Sequence, residues 1–376
     1  MKIVVLAGFA ESLVRFRGLL LAALVEAGHK VIACAPESSP DTAKRLQQLG
    51  VSYHALPLER AGLNPFKDLG FLLRLVWFFR KEQPDILFCY TIKPVIYGSL
   101  AARWAGVSAV FAMITGLGYA FGGQTLRQRL LTCLAEPLYR LALAGNRVVF
   151  FQNPDDRELF IHRKLVRDRV QTVLVNGSGV DLDFYAEAPL PSGLPVFVLI
   201  ARMLRDKGIV EYVEAARILK RQYPQTIFRL VGPVDRNPAS LKTEQLKDWN
   251  DEGVIEYIRW VDDVRPIIAA ANVFVLPSYR EGTPRTVLEA MAMGRPIITT
   301  DAPGCRETVM NGQNGFLVPV KNVRALAEAM ELFIRDPSMI PKMGSQSRTL
   351  AEAKFDVHAV NRLILNAMGI SSNSSK

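Results

Sequence analysis

Two stretches of this chain combine charged side chains with turn-forming residues in an order that can do chemistry. The first is Ile200-Ala-Arg-Met-Leu-Arg-Asp-Lys-Gly208. A strand-like run, Val196–Ile200, leads into it, so Arg202 and Lys207 fall in a strand-to-helix loop from which both cations can reach one anion. A guanidinium fork beside an ammonium point charge can hold a diphosphate without a metal. The plainer account of this segment is a solvated basic loop. The second stretch is Leu276-Pro-Ser-Tyr-Arg-Glu-Gly-Thr-Pro-Arg-Thr-Val-Leu-Glu-Ala-Met-Ala-Met-Gly-Arg-Pro296. A buried strand is expected to end at Leu276, a turn containing Gly282 follows, and a helix is expected from Pro284 with Thr283 as its N-cap. The N–H groups of Arg285 and Thr286 then face out of the first turn, where a phosphate can bind. Glu281 lies in the turn and Glu289 about one and a half turns into the helix, so the two carboxylates can reach different parts of one ligand. They suit vicinal hydroxyls better than a metal. Compensation of the helix dipole is the competing account, and taken alone it suffices for Glu281.

Several other chemistries are excluded by what the sequence lacks. Val4-Val-Leu-Ala-Gly-Phe-Ala-Glu-Ser12 offers only Gly8 after the first strand, so the G-x-G-x-x-G dinucleotide fingerprint is missing. Neither a P-loop nor a G-x-S-x-G elbow occurs. His29, His54, His162 and His358 are scattered and give no metal spacing. Asp181 and Asp183 imitate a metal-binding pair, yet their place before a turn reads as Asx capping. Cys34, Cys89, Cys133 and Cys305 lie far apart, which argues against a disulfide framework and points to a reducing compartment.

The elements that must position these residues follow a regular rhythm. Short apolar runs at Ile3–Ala7, Val31–Ala35, Val51–Leu56, Ile86–Phe88, Ala109–Ala112, Val148–Phe151 and Val170–Val175 read as strands. Between them lie helical windows at Ser12–Ala27, Thr42–Leu49, Pro65–Lys81, Pro94–Ala105 and Leu126–Leu143. Continuously apolar strands imply burial on both faces, hence parallel sheet flanked by helices. A Pro/Gly-rich stretch, Ala188–Pro195, interrupts the rhythm before it restarts at Val196. The expected organisation is two α/β units of Rossmann-like parallel sheet facing across a cleft. Residues 1–187 form the first, 188–354 the second, and 355–376 a C-terminal helix with a short tail. At 376 residues, two domains is also the natural division by length.

Composition narrows the partners. The net charge is +10, and residues 60–147 hold eleven Lys/Arg against four Asp/Glu. Nucleic acid is disfavoured, because the basic residues punctuate an apolar helix and form no recognisable groove motif. Phe66, Leu69, Phe71, Leu72, Leu73, Leu75, Val76, Trp77, Phe78 and Phe79 interleaved with Lys67, Arg74, Arg80 and Lys81 suit a helix lying on an anionic membrane surface. The alternative is that these apolar residues pack on a sheet. No apolar run reaches the length of a membrane span, and the N-terminus lacks a signal-peptide core. A cytoplasmic protein held peripherally at the inner face of the membrane is expected.

Taken together, the ordered set Arg202, Lys207, Glu281 and Glu289 resembles the retaining glycosyltransferases of family 4, over nearly the whole chain and including Asn176–Phe184. That resemblance implies the two-domain GT-B fold and a UDP-sugar donor. Arg202 and Lys207 would hold the diphosphate, aided by backbone at Gly8, Gly282, Thr283, Pro284, Arg285 and Thr286. Glu281 would contact the sugar and Glu289 the ribose, which makes Arg202, Lys207 and Glu281 the catalytic set, with no metal or other cofactor. The last helix would cross back onto the N-terminal domain. Arg60-Ala-Gly-Leu-Asn-Pro65, Thr91-Ile-Lys93 and Thr115-Gly-Leu-Gly118 resemble a narrower group. Its members extend saccharides on undecaprenyl diphosphate, N-acetylgalactosaminyltransferases among them. This implies a polyprenyl-diphosphate-linked acceptor near Lys93, Thr115 and Gly116. Many relatives carry a histidine in this region, and none occurs here between His54 and His162. A UDP-sugar 2-epimerase of related architecture, or a membrane-recruited subunit that binds nucleotide without turnover, are the competing functions.

Overall fold

The structure, a computed structural model, describes residues 1–59, 64–117, 126–235, 237 and 239–370. The expected motif residues 60–63 and Gly118, and the tail from residue 371, lie outside the described residues. The chain divides into two compact units, Met1–Ser178 with Val357–Lys376, and Gly179–Asp356.

The first unit is built on a seven-stranded sheet. Its strands are β1 (Lys2–Leu6), β2 (Lys30–Ala35), β3 (Ser52–Ala55), β4 (Ile86–Tyr90), β5 (Ala109–Ile114), β6 (Val148–Phe151) and β7 (Gln171–Leu174). They lie in the order β3-β2-β1-β4-β5-β6-β7, every neighbouring pair parallel. The five inner strands therefore sit buried on both faces, as their apolar runs require, whereas the edge strands β3 and β7 are largely exposed. Helices α1 (Ala10–Arg15), α2 (Gly18–Glu26), α3 (Pro40–Gln48), α4 (Pro65–Glu82), α5 (Ile92–Ala105), α6 (Leu126–Leu143) and α7 (Pro154–His162) cover it. The single helix expected over 12–27 is broken into α1 and α2. At the break Arg17 leaves helical geometry (φ −127°, ψ 1°) and its side chain is buried over the Tyr90 ring, 5.4 Å from the centroid.

Helix α4 starts as its sequence dictates: Asn64 Oδ1 accepts from the N–H groups of Phe66 and Lys67 at 3.0 and 3.3 Å, and Pro65 occupies the first turn. One face buries Phe71, Leu72, Leu75, Val76, Phe78 and Phe79. The other leaves Phe66, Leu69, Leu73 and Trp77 in solvent, Phe66 at 84% and Trp77 at 64% exposure. The helix is thus apolar on both faces, which a helix merely packed on a sheet has no reason to be.

The second unit holds a six-stranded parallel sheet in the order β10-β9-β8-β11-β12-β13. The strands are β8 (Val196–Ile200), β9 (Ile227–Val231), β10 (Glu256–Ile258), β11 (Val273–Leu276), β12 (Ile297–Thr300) and β13 (Gly315–Val318). Around them pack α8 (Ile209–Lys220), α9 (Thr243–Asp251), α10 (Arg265–Ala269), α11 (Arg285–Ala292), α12 (Val323–Arg335) and α13 (Met339–Lys354). The final helix, α14 (Val357–Ala367), belongs to the first unit and buries Val360, Ile364 and Leu365 in that unit's core.

Sequence reading placed the divide at 187/188, whereas the units separate after Ser178. The reason is that residues 179–187 are bonded into the second unit. Val180 N–H donates to Phe355 O at 2.8 Å, Tyr185 is buried in the core, and Arg348 donates to the carbonyls of Leu182, Tyr185 and Ala292. The Pro/Gly stretch that follows is held by Arg295, whose side chain is fully buried. Its five N–H donors reach five carbonyls: Ile268 and Ala269 at the end of α10, Met293 after α11, and Ala188 and Pro189, at 2.7–3.1 Å. Every donor of the guanidinium is used. Burial lowers its pKa to about 10, with Glu187 opposing the shift, so it remains charged at neutral pH.

Arg295→Met keeps the bulk but leaves those carbonyls without a donor. A loss of at least about 3 kcal/mol of stability is expected, read as a shift in the urea midpoint. A variant as stable as the parent would show that water replaces the guanidinium freely.

Candidate active site

In each unit the strand order reverses once, between β1 and β4 in the first and between β8 and β11 in the second. Connections leaving adjacent parallel strands in opposite directions open a crevice at their carboxyl ends, where open α/β sheets bind ligands. In the second unit the two loops at this point carry the residues that sequence reading singled out.

The loop after β8 is tied down along its length. Met203 N–H donates to Pro233 O, Arg205 N–H to Ala239 O, and residues 205–207 form a 3-10 turn ended by Gly208 at φ +71°. A side chain at Gly208 would overlap the Pro277 carbonyl, so only glycine lets this loop pack against the one after β11. Tyr279 N–H donates to Asp206 O at 2.8 Å, tying the loops together, and Ser278 Oγ lies 3.0 Å from the same carbonyl.

The consequence is that Lys207 and Glu281, distant in sequence, touch. The Lys207 ammonium donates to Glu281 Oε1, which also accepts from Ser278 Oγ at 2.8 Å. Glu281 N–H in turn donates to Pro303 O at 2.9 Å, and Gly304 at φ +80° leaves room for the Glu281 and Gly282 carbonyls. Arg202 sits farther out, its side chain 43% exposed, and donates to Asp235 Oδ2 at 2.6 Å.

Glu289 belongs to a separate network. It lies on the buried face of α11, and its Oε1 accepts from Tyr185 Oη at 2.9 Å and Arg285 Nε at 2.8 Å. Burial, then the adjacent carboxylate, raises the Tyr185 phenol, which keeps it a donor. Oε2 has no protein donor among the described residues, so only one of the two oxygens is anchored. The expected helix start moves by one residue: Pro284 is the N-cap at ψ 109° and Arg285 begins the helix, so Thr283 does not cap it. The first-turn N–H groups of Arg285 and Thr286 remain where an anion could accept them.

In the first unit Gly8 follows β1, and a side chain there would press on Thr91 Oγ1. Thr91 itself takes φ +70°, unusual for a branched residue. Thr115 and Gly116 follow β5, with Gly116 at φ +111°. Lys93 pairs with Asp68 at 2.5 Å. Asp181 Oδ1 accepts from Asp183 N–H and Phe184 N–H at 3.1 and 2.9 Å, the Asx turn expected of it. No group of three or more metal-ligating side chains occurs among the described residues.

Sequence reading missed Ser278, Tyr185, Asp235 and Asp68. Ser278 lies inside the stretch already singled out, and Tyr185 is one residue past the Asn176–Phe184 segment; only packing shows that their hydroxyls aim at Glu281 and Glu289.

A two-unit parallel α/β protein with a cation–carboxylate site at one switch point is the GT-B architecture, and comparison with known proteins agrees. The family model described as Glycosyl transferases group 1 matches residues 194–336, and that of the Glycosyl transferase 4-like domain matches 14–177. The chain belongs to this glycosyltransferase family and is a hexosyltransferase. Among curated proteins it is 28% identical to an N,N'-diacetylbacillosaminyl-diphospho-undecaprenol α-1,3-N-acetylgalactosaminyltransferase of Campylobacter jejuni, over 90% of this chain and 91% of that one. It is 27% identical to a UDP-Gal:α-D-GlcNAc-diphosphoundecaprenol α-1,3-galactosyltransferase of Escherichia coli, over 78% of each. In fold it resembles a sucrose-phosphate synthase of Thermosynechococcus elongatus (TM-score 0.80, 20% identity, 97% of this chain and 98% of that one). It also resembles Anabaena HepE in complex with UDP and glucose (TM-score 0.78, 19% identity, 98% and 99%).

Proposed function

We propose that the chain transfers a sugar, an N-acetylhexosamine, from a UDP-sugar to a polyprenyl-diphosphate-linked saccharide with retention of anomeric configuration. The observation that carries this reading is the direct contact of Lys207 with Glu281 at the switch point. It supports the reading because an ammonium suits a phosphate and a carboxylate suits a hydroxyl, the two demands of a sugar diphosphate. The relatives' named donors and lipid-linked acceptors supply the substrate classes. As UDP departs, charge grows on the β-phosphate; Lys207, Arg202 and the N–H groups that open α11 stabilise it more in the transition state than in the ground state. The departing phosphate oxygen takes the acceptor hydroxyl's proton on the same face of the sugar. Two cations do the work that a divalent metal does elsewhere, while Asp181 is occupied by its own turn.

The test is incubation with a panel of UDP-sugars and a short polyprenyl-diphosphate saccharide, read by mass spectrometry. Turnover is expected to persist in excess EDTA, and Lys207→Ala to lower the rate on the order of 10²–10³-fold. Activity that vanished in EDTA and returned with Mg²⁺ or Mn²⁺ would overturn the cation assignment; a product from UDP-sugar alone would favour the epimerase.

The two glutamates sit in separate networks, and their losses are expected to separate as well. Glu289→Ala weakens binding of UDP alone in calorimetric titration, whereas Glu281→Ala leaves it nearly intact and removes sugar transfer. Equal loss of UDP affinity in both variants contradicts the assignment of ribose to one and sugar to the other.

The acceptor's lipid brings a membrane surface into the reading. Phe66, Leu69, Leu73 and Trp77 form an outward apolar stripe on α4, and Leu130, Leu134 and Leu141 a second on α6. Arg74, Arg80 and Lys81 are exposed beside the first stripe. Trp77, not the buried Phe78, is the residue placed to insert. No helix among the described residues is long and apolar enough to cross a membrane. Each basic residue near an anionic surface contributes about 1 kcal/mol. Co-sedimentation with anionic vesicles is therefore expected, weakening with salt, and Leu73→Ser with Trp77→Ser is expected to abolish it without affecting UDP binding. Unchanged sedimentation of that double variant would remove α4 from the membrane surface.

A further inference from the structure

The apolar sequence of α4 contains one acidic residue in its first two turns, and the structure turns it inward. Asp68 is buried between Phe66 and Leu69, both exposed. Its Oδ1 accepts from the Lys93 ammonium at 2.5 Å and its Oδ2 from Tyr97 Oη at 3.0 Å. Lys93 and Tyr97 lie in the first two turns of α5, which leaves the sheet at β4, directly at the switch point of the first unit. The Phe71 ring packs edge-on against Tyr97, 6.3 Å between centroids, and burial followed by the Asp68 carboxylate raises the Tyr97 phenol, so it stays a donor.

Both carboxylate oxygens of Asp68 are thus used within the protein, but the ammonium is not. Asp68 is its one acceptor among the described residues, and two of its three N–H donors are unspent. The side chains of Lys93 and Asp68 are only 13% and 12% exposed. A cation so enclosed is costly without a fixed counter-charge, which Asp68 provides while leaving donors pointing elsewhere.

Resting on the reading that the acceptor is carried on a polyprenyl diphosphate, we propose that Lys93 binds the acceptor's diphosphate and that Asp68, braced by Tyr97, is the positioning residue that aims it. Placement on α4 supports this source of diphosphate over the donor. Phe66 and Leu69 flank Asp68 on the same turn and begin the outward apolar stripe. A polyprenyl chain lying along that stripe therefore has its charged end at the turn that holds Lys93.

The experiment titrates wild type, Lys93→Met, Lys93→Arg and Asp68→Asn with a short-chain polyprenyl diphosphate and separately with UDP, by calorimetry. It also measures KM for the lipid-linked saccharide and for the UDP-sugar. Lys93→Met is expected to weaken polyprenyl diphosphate binding about tenfold or more, the loss of a charge-assisted contact, and to raise the acceptor KM to match. Lys93→Arg retains most of the affinity, Asp68→Asn falls between, and UDP binding and the UDP-sugar KM stay within about twofold throughout. The double variant Asp68→Leu, Lys93→Met, with the buried charges replaced by apolar groups, is expected to recover thermal stability but not acceptor affinity. Recovery of both would show a structural pair only. A loss of UDP affinity in Lys93→Met would assign the cation to the donor, and failure of the wild type to bind polyprenyl diphosphate would remove the site altogether. Because titration needs no turnover, it judges this site even where transfer is not observed.

Discussion

A parallel sheet buried on both faces can keep no unpaired polar group within it, so polar chemistry is confined to the loops at its ends. Several of the polar residues singled out in this chain obey that constraint. Strands such as Val273–Leu276 and Val148–Phe151 are wholly buried, and the first residues free to be polar are those just past them. Ser278, Glu281, Thr91 and Thr115 all follow a strand's carboxyl end within five residues or fewer. Where the strand order reverses, two such loops are adjacent, and charged residues far apart in sequence meet.

In the second unit the meeting is enforced by backbone more than by charge. Gly208 allows one loop to close on Pro277, the Asp206 carbonyl accepts from Tyr279 N–H of the other, and Gly304 admits the turn that carries Glu281. Only then do Lys207 and Glu281 pair. Each partner of the pair neutralises the other. Glu289 is held by an independent set of donors, so the unit carries two separately anchored carboxylates. Fixing such groups before the ligand arrives reduces the reorganisation left for the reaction itself.

Helix α4 of the first unit is built for two surroundings at once. Helix α4 uses one face to cover the sheet and keeps the other apolar, while its first turn buries an acid against Lys93. One helix thereby joins the exposed apolar stripe to the switch point. The cost of exposing Phe66 and Trp77 to water is offset if a bilayer covers them.

Much of this was legible in the residues. The alternation of Val/Ile runs with amphipathic windows is set by burial on two faces, and nearly every expected strand appears within two residues of its place. Asn64-Pro65 starts α4, Asp181 caps its own turn, and the stretch from Leu276 to Pro296 holds the glutamates, because caps, turns and helix starts are decided by neighbours in the chain. What required the folded chain was every relation between distant segments. The divide between units moved to Ser178 because Arg348 and the Phe355 carbonyl capture residues 179–187, contacts that no local composition encodes. Tyr185 reaches Glu289 across 104 residues and Lys93 reaches Asp68 across 25, and which face of α4 carries Trp77 outward depends on the sheet beneath it. Local free energies choose the elements; which side chains then share a site depends on how the sheet brings their loops together, and that is a property of packing.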